Sequence, residues 1–279
     1  MSVRGRPITD ETMRMDMSHA PAGSAGTCAP AAAVDAGAPI PFARLLAVET
    51  RKLFDTRSGM ILSAVLVALT IAAITGRGVV AGPDFGLLIG TAGIGHGIVL
   101  PVLGILTVTN EWSHRTALVT YALEPRRGRV LAAKCLPPLL AAVLASGLAM
   151  AVAAPITAVT AELQQAPPNW DVSVWPLLGW TATNVLLVAT GLAVGMLLLN
   201  APAAIVLCMT TPILWALISK LGAAGEFSAR WLDLNTNSAA LSRGDLTGGD
   251  VAHLAASIGF WIVIPLVVGA ARVRRKDVA

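Results

Sequence analysis

The segment that decides the fold is EWSHRTALVTYALEPRRGRVLAAK, Glu111 to Lys134, a polar and basic insert between two long apolar stretches. The 26 residues from Phe85 to Asn110 carry no Asp, Glu, Lys or Arg, and neither do the 27 residues from Cys135 to Ala161. Uncharged stretches of this length are long enough to cross the hydrocarbon core of a bilayer as helices. The insert is therefore predicted to connect two transmembrane helices outside the lipid.

The composition of the whole chain is typical of a membrane protein. Of its 279 residues, 55% are hydrophobic and 13% are charged, whereas about 25% of the residues of a soluble domain are charged. The cysteines Cys28, Cys135 and Cys208 lack the spacing of a metal site, so no metal site is predicted. The net charge of +4 comes from bases that flank apolar stretches, which favours a role in membrane orientation over nucleic-acid binding.

Hydropathy predicts six transmembrane spans. The longest uncharged stretch, Val172 to Ser219, would be about 72 Å long as one helix at 1.5 Å per residue, so it must fold back, at Asn200-Ala201-Pro202. The predicted spans are residues 58–76, 85–110, 135–161, 174–199, 203–219 and 254–271. The predicted fold class is an all-α integral membrane protein, with a six-span domain over residues 41–279 behind a disordered tail of residues 1–40.

The positions of the bases predict the orientation in the membrane. Lys and Arg cluster before span one, between spans two and three, and after span six, while the other connections hold few bases near their ends. With six spans these three segments fall on one side, which the positive-inside rule identifies as the cytoplasm. The chain is therefore expected in the cytoplasmic membrane of the cell, with both termini in the cytoplasm.

The segment from Pro41 to Arg57 is predicted to form an amphipathic helix that lies in the membrane interface, in contact with lipid. One arc of this helix is apolar and carries Phe42, Leu45, Leu46 and Leu53. Glu49 interrupts that arc, and two interpretations stay open. Glu49 forms a local ion pair with Lys52 or a neighbouring base, or it contacts a partner or the region of the insert.

Span two contains an ionisable residue and a series of glycines. His96 lies near its middle, and an ionisable group at that depth is a candidate for function. A neutral histidine can equally hydrogen-bond a neighbouring helix, so both interpretations stay open. The glycines, including Gly90, Gly97 and Gly104, follow no strand and do not form a nucleotide-binding loop. They are expected to let neighbouring helices approach closely.

The insert resembles the permease subunits of ATP-binding-cassette (ABC) transporters of the type-2 exporter class. In those proteins an acidic residue closes the second span, a Thr follows, and a Pro-Arg-Arg turn leads to a Lys that opens the third span. The matching residues are Glu111, Thr116, Pro125, Arg126, Arg127 and Lys134. The family also has a Glu-x-x-Lys element in an amphipathic helix before span one, which Glu49 and Lys52 match. The resemblance covers about residues 42–276.

The resemblance implies a cytoplasmic coupling helix between spans two and three, in the region of Glu111 to Leu123. This helix is expected to dock on a separate ABC ATPase subunit through Glu111, Arg115 and Thr116, helped by the turn from Arg126 to Arg129. A second permease copy, identical or homologous, is implied as a further partner. ATP and Mg²⁺ would be bound by the ATPase, with no cofactor on this chain, and the substrate would be exported.

No enzymatic activity is predicted for the chain itself. It has no G-x-x-x-x-G-K-[ST] segment and none of the motifs of a membrane hydrolase. Two other functions stay open. A secondary transporter driven by an ion gradient would need ionisable groups in the membrane, for which His96 is the candidate. A membrane scaffold or accessory subunit without transport is the other.

Overall fold

The computed structural model describes residues 41–113, 127–244 and 246–275. These residues form helices and no strand, and six of the helices are long and apolar enough to cross a membrane. The prediction of an all-α, multi-pass membrane protein is therefore confirmed. The predicted disordered tail, residues 1–40, lies outside the described residues.

A first helix precedes the bundle, and short helices separate its last two spans. The first helix is α1 (Phe42–Asp55). The first five spans are α2 (Arg57–Ala81), α3 (Phe85–Ser113), α4 (Arg127–Gln164), α5 (Val174–Leu198) and α6 (Ala201–Ile218). The remaining elements are α7 (Ala223–Leu232), α8 (Leu234–Ala239), a 3₁₀ turn (Ala240–Arg243), α9 (Gly248–Ile258), a π-helical turn (Gly259–Val263) and α10 (Ile264–Arg275). The last span consists of α9, the π-helical turn and the start of α10.

Several spans extend beyond the ends that hydropathy predicts. Arg77 lies inside α2, which ends at Ala81 and is capped by Gly82, where the φ of 94° suits a glycine. Glu162 likewise lies inside α4. The connection between the first two spans is therefore shorter than the residues 77–84 that the predicted spans leave for it. The predicted ends fall at charged residues, because a charged side chain must reach water. The backbone of the helix can continue past that point.

The connection that the predicted spans leave between 219 and 254 consists largely of short helices packed on the bundle. Gly179 in α5 makes room for it, since a Cβ there would overlap the carbonyl oxygen of Leu241. Trp261 Nε1 donates a hydrogen bond of 2.8 Å to the carbonyl oxygen of Leu232, which fastens the end of α7 to the last span. We call α7, α8 and the 3₁₀ turn the cap.

The central helix is α3, which packs against α2, α4, α5 and α6. Its close approach to α5 depends on glycines. A Cβ at Gly191 would overlap the carbonyl oxygen of Pro101, and a Cβ at Gly104 would press on the backbone of Val188. The largest buried cluster holds apolar side chains from four spans, Leu66, Val99, Leu100, Val108, Ala142, Ala145, Val188, Leu192 and Met196.

The two ends of the bundle differ in charge. At one end, which we call the basic end, lie α1, the start of α4 and the end of α10, with Arg44, Arg51, Lys52, Arg57, Arg129, Lys134 and Arg272. Arg272 Nη1 donates a hydrogen bond of 3.0 Å to the carbonyl oxygen of Leu197 there. At the other end, the opposite end, Asn169 Nδ2 donates a hydrogen bond of 2.8 Å to Asp84 and joins two connections between spans.

Candidate functional site

A buried charged cluster at the basic end links α1 to α4. Glu49 is 8% exposed, and its Oε1 lies 2.8 Å from Lys52 Nζ. Its Oε2 lies 3.1 Å from Nζ of Lys134, a residue 5% exposed. A buried charge is costly unless it is paired, and here each carboxylate oxygen has an ammonium partner. Of the two interpretations of Glu49, the pair with Lys52 is present, and Glu49 also contacts Lys134, the last residue of the insert.

The backbone of α4 is weakened directly after this cluster. Val130 and Ala133 are buried and hold the first turns of α4 in place. Pro137 and Pro138 follow Lys134 inside the same helix, not at its start as the predicted span has them. Neither proline has an amide hydrogen, so two backbone carbonyls of this turn lose their intrahelical donors. The helix therefore has fewer internal restraints just beyond Lys134 than elsewhere.

Most of the predicted coupling residues lie outside the described residues. These are Arg115, Thr116, Pro125 and Arg126. The backbone of Glu111 belongs to the last turns of α3, Arg127 opens α4, and Arg129 is half-buried one turn later. The structure thus fixes where the insert leaves α3 and where it enters α4, while the predicted coupling helix between them stays a prediction.

A second polar cluster lies inside the bundle around His96. The imidazole is fully buried, and its Nε2 lies 3.2 Å from Thr70 Oγ1 on α2. Because the Thr70 hydroxyl donates to the carbonyl oxygen of Leu66 at 2.7 Å, a neutral ring with hydrogen on Nε2 fits this geometry. Nδ1 then has no hydrogen-bond partner within the described ranges. The contact to Thr70 agrees with the helix-to-helix hydrogen bond considered from the sequence.

The polar cluster extends to two more helices. Trp180 on α5 lies beside the imidazole, with a distance of 5.3 Å between ring centroids. Asn184, one turn further along α5, donates a hydrogen bond of 2.9 Å from Nδ2 to Ser146 Oγ on α4. Hydrogen bonds between spans stabilise helix association in lipid, by about 1 kcal/mol each. The sequence identified His96 as an ionisable residue within a span, but nothing in it placed His96 close to Thr70 or Asn184 close to Ser146.

A pair of adjoining cavities lies near the cap, and no feature of the sequence had indicated it. One is apolar and measures about 380 Å³, and the other is polar and measures about 680 Å³. Pro212, Asp233 and Asn235 line both. Asp233 lies between the last two predicted spans, and the signal that could have identified it is its position as the N-cap of a short helix. In the described part of the chain, no His, Cys, Asp and Glu side chains are grouped to hold a metal ion.

No model of a known protein family matches the chain, and no curated protein sequence matches it. The resemblance to ABC permeases therefore depends on the residues of the insert and of α1 described above.

Proposed function

We propose that the chain is the membrane subunit of an ABC transporter of the exporter class, driven by ATP hydrolysis on a separate ATPase subunit. The observation that carries the proposal is the buried pair of Glu49 and Lys134. It joins two elements that the resemblance had matched separately to the same family, the Glu-x-x-Lys element of α1 and the lysine that follows the insert. Six spans in one chain give the helical architecture that such a subunit needs.

The pair offers a mechanical route from the insert to the spans. In the proposed mechanism, the ATPase binds the insert through Glu111, Arg115 and Thr116, and its closure on ATP displaces the insert. The displacement reaches Lys134 along α4, and Glu49 transfers it to α1. Only Thr56 separates α1 from α2, so the first span moves with α1. Movement of helices as rigid bodies then switches access between the two sides of the membrane.

The proposal also includes an orientation of the chain in the membrane and a second permease copy as a partner. The basic end lies in the cytoplasm of the cell, because bases favour that side, and α1 lies in the interface there. A second permease copy packs on the apolar outer surface, of which α2 provides a large exposed part that includes Ile61, Val65 and Leu69. Lipid covers the rest of that surface.

A crosslinking experiment in intact membranes tests the partner and the orientation together. In a chain whose native cysteines are replaced by alanine, Arg115→Cys is expected to crosslink through a short thiol-reactive linker to a protein with a Walker A loop. Asp171→Cys at the opposite end is the matched control. It is expected to react with a thiol reagent that cannot cross the membrane and to give no such crosslink. Crosslinking of the ATPase from Asp171→Cys alone would contradict the proposed orientation.

One observation favours a second candidate, a transporter driven by a proton gradient. His96 is buried among the spans, and its Nδ1 has no hydrogen-bond partner in the described residues. Such a nitrogen can accept a proton that enters the bundle. Proteoliposomes that contain the chain alone would then show proton uptake that His96→Gln abolishes. Proton-tight proteoliposomes would exclude this candidate.

A further inference from the structure

The apolar cavity lies between α3, α5 and α6 and extends to the cap. Its walls include Ile98 from α3, Leu187 from α5, Met209 from α6 and Trp261 from the last span. Its volume, about 380 Å³, lies within the range of pockets that bind small organic molecules, about 300–1,000 Å³. The composition of its walls suits the hydrocarbon or aromatic body of a ligand.

The apolar cavity adjoins the polar one, so a single ligand can occupy both. The polar cavity, of about 680 Å³, lies among α6, the cap and α9. Glu226 and Arg230 of α7 line it further along, and His253 lines it from α9. A molecule with an apolar body and a polar head would place its head at the residues that both cavities share, Asp233 and Asn235.

Asp233 determines which charge that head should carry. Its carboxylate accepts hydrogen bonds from the backbone N of Asn235 at 3.0 Å and from Thr236 Oγ1 at 2.6 Å, which fix its position. No basic side chain of the described residues forms an ion pair with it. Asp250 in the same polar cavity differs, since it lies 3.7 Å from Arg243. Within the described ranges this fixed carboxylate has no counter-ion, and its place next to an apolar cavity makes it complementary to a cationic head.

We propose that the two cavities form one binding site for an amphipathic organic cation, with the apolar body between α3, α5 and α6 and the cationic head at Asp233. This deepens the proposed function. The identification of the ligand as transported cargo rests on that function, whereas binding itself needs no ATPase. A lipid acyl chain is the other occupant that the apolar cavity alone would accept, and it would not depend on Asp233.

The charge preference is tested with the full-length protein in phosphatidylcholine nanodiscs. The probes are trimethylammonium-diphenylhexatriene, a fluorescent amphipathic cation, and diphenylhexatriene, its uncharged parent, read by energy transfer from tryptophan. Saturable binding is expected about tenfold tighter for the cation, which corresponds to about 1.4 kcal/mol. Asp233→Asn is expected to remove that difference while retaining the helix cap, since Asn is an equally good N-cap. Asp171→Asn, an exposed carboxylate at the same end of the bundle, is the control and should change nothing.

The location is tested by filling the cavity. Gly97 lines it, and a Cβ at Gly97 would meet no atom within 4 Å, so the side chain of Gly97→Leu would start in open space and occupy part of the cavity. We expect this variant to lose saturable binding of both probes. Gly90→Leu is the matched control, because it lies two turns away on the same helix, is equally open and does not line the cavity. It should bind both probes as the unmodified chain does.

Three results would overturn the proposal. They are the absence of saturable energy transfer above that of empty nanodiscs, equal affinity for the two probes, and unchanged binding by Gly97→Leu. If the two probes bind with equal affinity, and Asp233→Asn does not change that affinity, the occupant would be an apolar chain such as that of a lipid. Binding by a chain that never associates with an ATPase would leave the site in place and remove only its role in transport.

Discussion

The carboxylate of Glu49 lies 3.1 Å from the ammonium of Lys134, 85 residues further along the chain, and both side chains are buried. Lys52 binds the other oxygen of the same carboxylate at 2.8 Å. The pair joins the helix before the first span to the helix that leaves the polar insert. A displacement of α4 at Lys134 therefore reaches α1 directly, without passing through the rest of the bundle.

Glu49→Gln is expected to lower the free energy of unfolding by about 3 kcal/mol, because the buried ammonium of Lys134 would lose the Glu49 carboxylate. The midpoint of thermal or denaturant unfolding in detergent measures the loss. Asp55→Asn is the matched control on the same helix. Its partner Arg51 lies 3.2 Å away and both side chains are exposed, so a loss of about 0–1 kcal/mol is expected.

The double replacement Glu49→Leu with Lys134→Met separates stability from coupling. Replacing both charges by apolar residues leaves neither charge buried without the other, so the free energy of unfolding should recover most of what either single change loses. The proposed ATP-driven transport should not recover, because the link between α1 and α4 is gone. Strict additivity of the two single losses would show that the residues do not interact.

Gly191→Ala is expected to destabilise the bundle strongly, by about 2 kcal/mol or more, because the new Cβ would overlap the carbonyl oxygen of Pro101 and separate α3 from α5. Gly147→Ala in α4 is the control, since a Cβ there meets nothing within 4 Å. That change should stabilise the helix by about 0.5–1 kcal/mol through backbone entropy. Thermal unfolding of the two variants side by side gives the comparison, and similar midpoints would contradict the close packing of α3 on α5.

Thr70→Val tests the polar cluster inside the bundle. Valine keeps the shape of threonine but removes the oxygen that lies 3.2 Å from His96 Nε2, so a loss of about 1 kcal/mol in unfolding free energy is expected. Thr91→Val on α3 is the control, because that hydroxyl donates only to Leu87 of its own helix. Equal midpoints of thermal unfolding for the two variants would mean that the contact to His96 contributes nothing.

Replacing Pro137 and Pro138 together by alanine restores two amide donors to α4 just beyond Lys134. The variant is expected to be more stable than the unmodified chain but to stimulate the proposed ATPase subunit less, because a stiffer α4 bends less when the insert moves. Pro155→Ala, further along the same helix, should leave the stimulation unchanged. ATPase activity of the assembled complex in proteoliposomes measures the difference. Stimulation that rises with the stiffness of α4 would contradict a flexible link at this position.

Long uncharged stretches were sufficient to predict six spans, because hydrophobic length alone decides whether a helix can cross a membrane. The ends of the spans were less well predicted. Arg77 and Glu162 are charged and still helical, since hydropathy reports where a helix leaves lipid and not where its backbone hydrogen bonds stop. The cap was missed because its helices are short and the glycines between Lys220 and His253 resemble loop residues.

The sequence indicated some residues of the candidate site but not which of them are in contact. Glu49 stood out because it interrupts an apolar arc, but its neighbour Lys52 was the only partner that helical spacing could identify. The specific contact of Glu49 with Lys134 could not be predicted, because contacts between distant segments depend on how whole helices pack. The same holds for Asp233, whose position between two cavities follows from the folding of the cap against α5 and α6.

Purification of the tagged full-length protein in mild detergent, with quantitative mass spectrometry of the proteins that accompany it, tests the central claim most directly. The account predicts a protein with a Walker A loop at a molar ratio near one ATPase per permease chain, and a marked loss of that protein from Glu111→Ala and Arg115→Ala variants that still reach the membrane. A chain that purifies alone, even after crosslinking in intact membranes, would contradict the claim that it serves an ABC transporter.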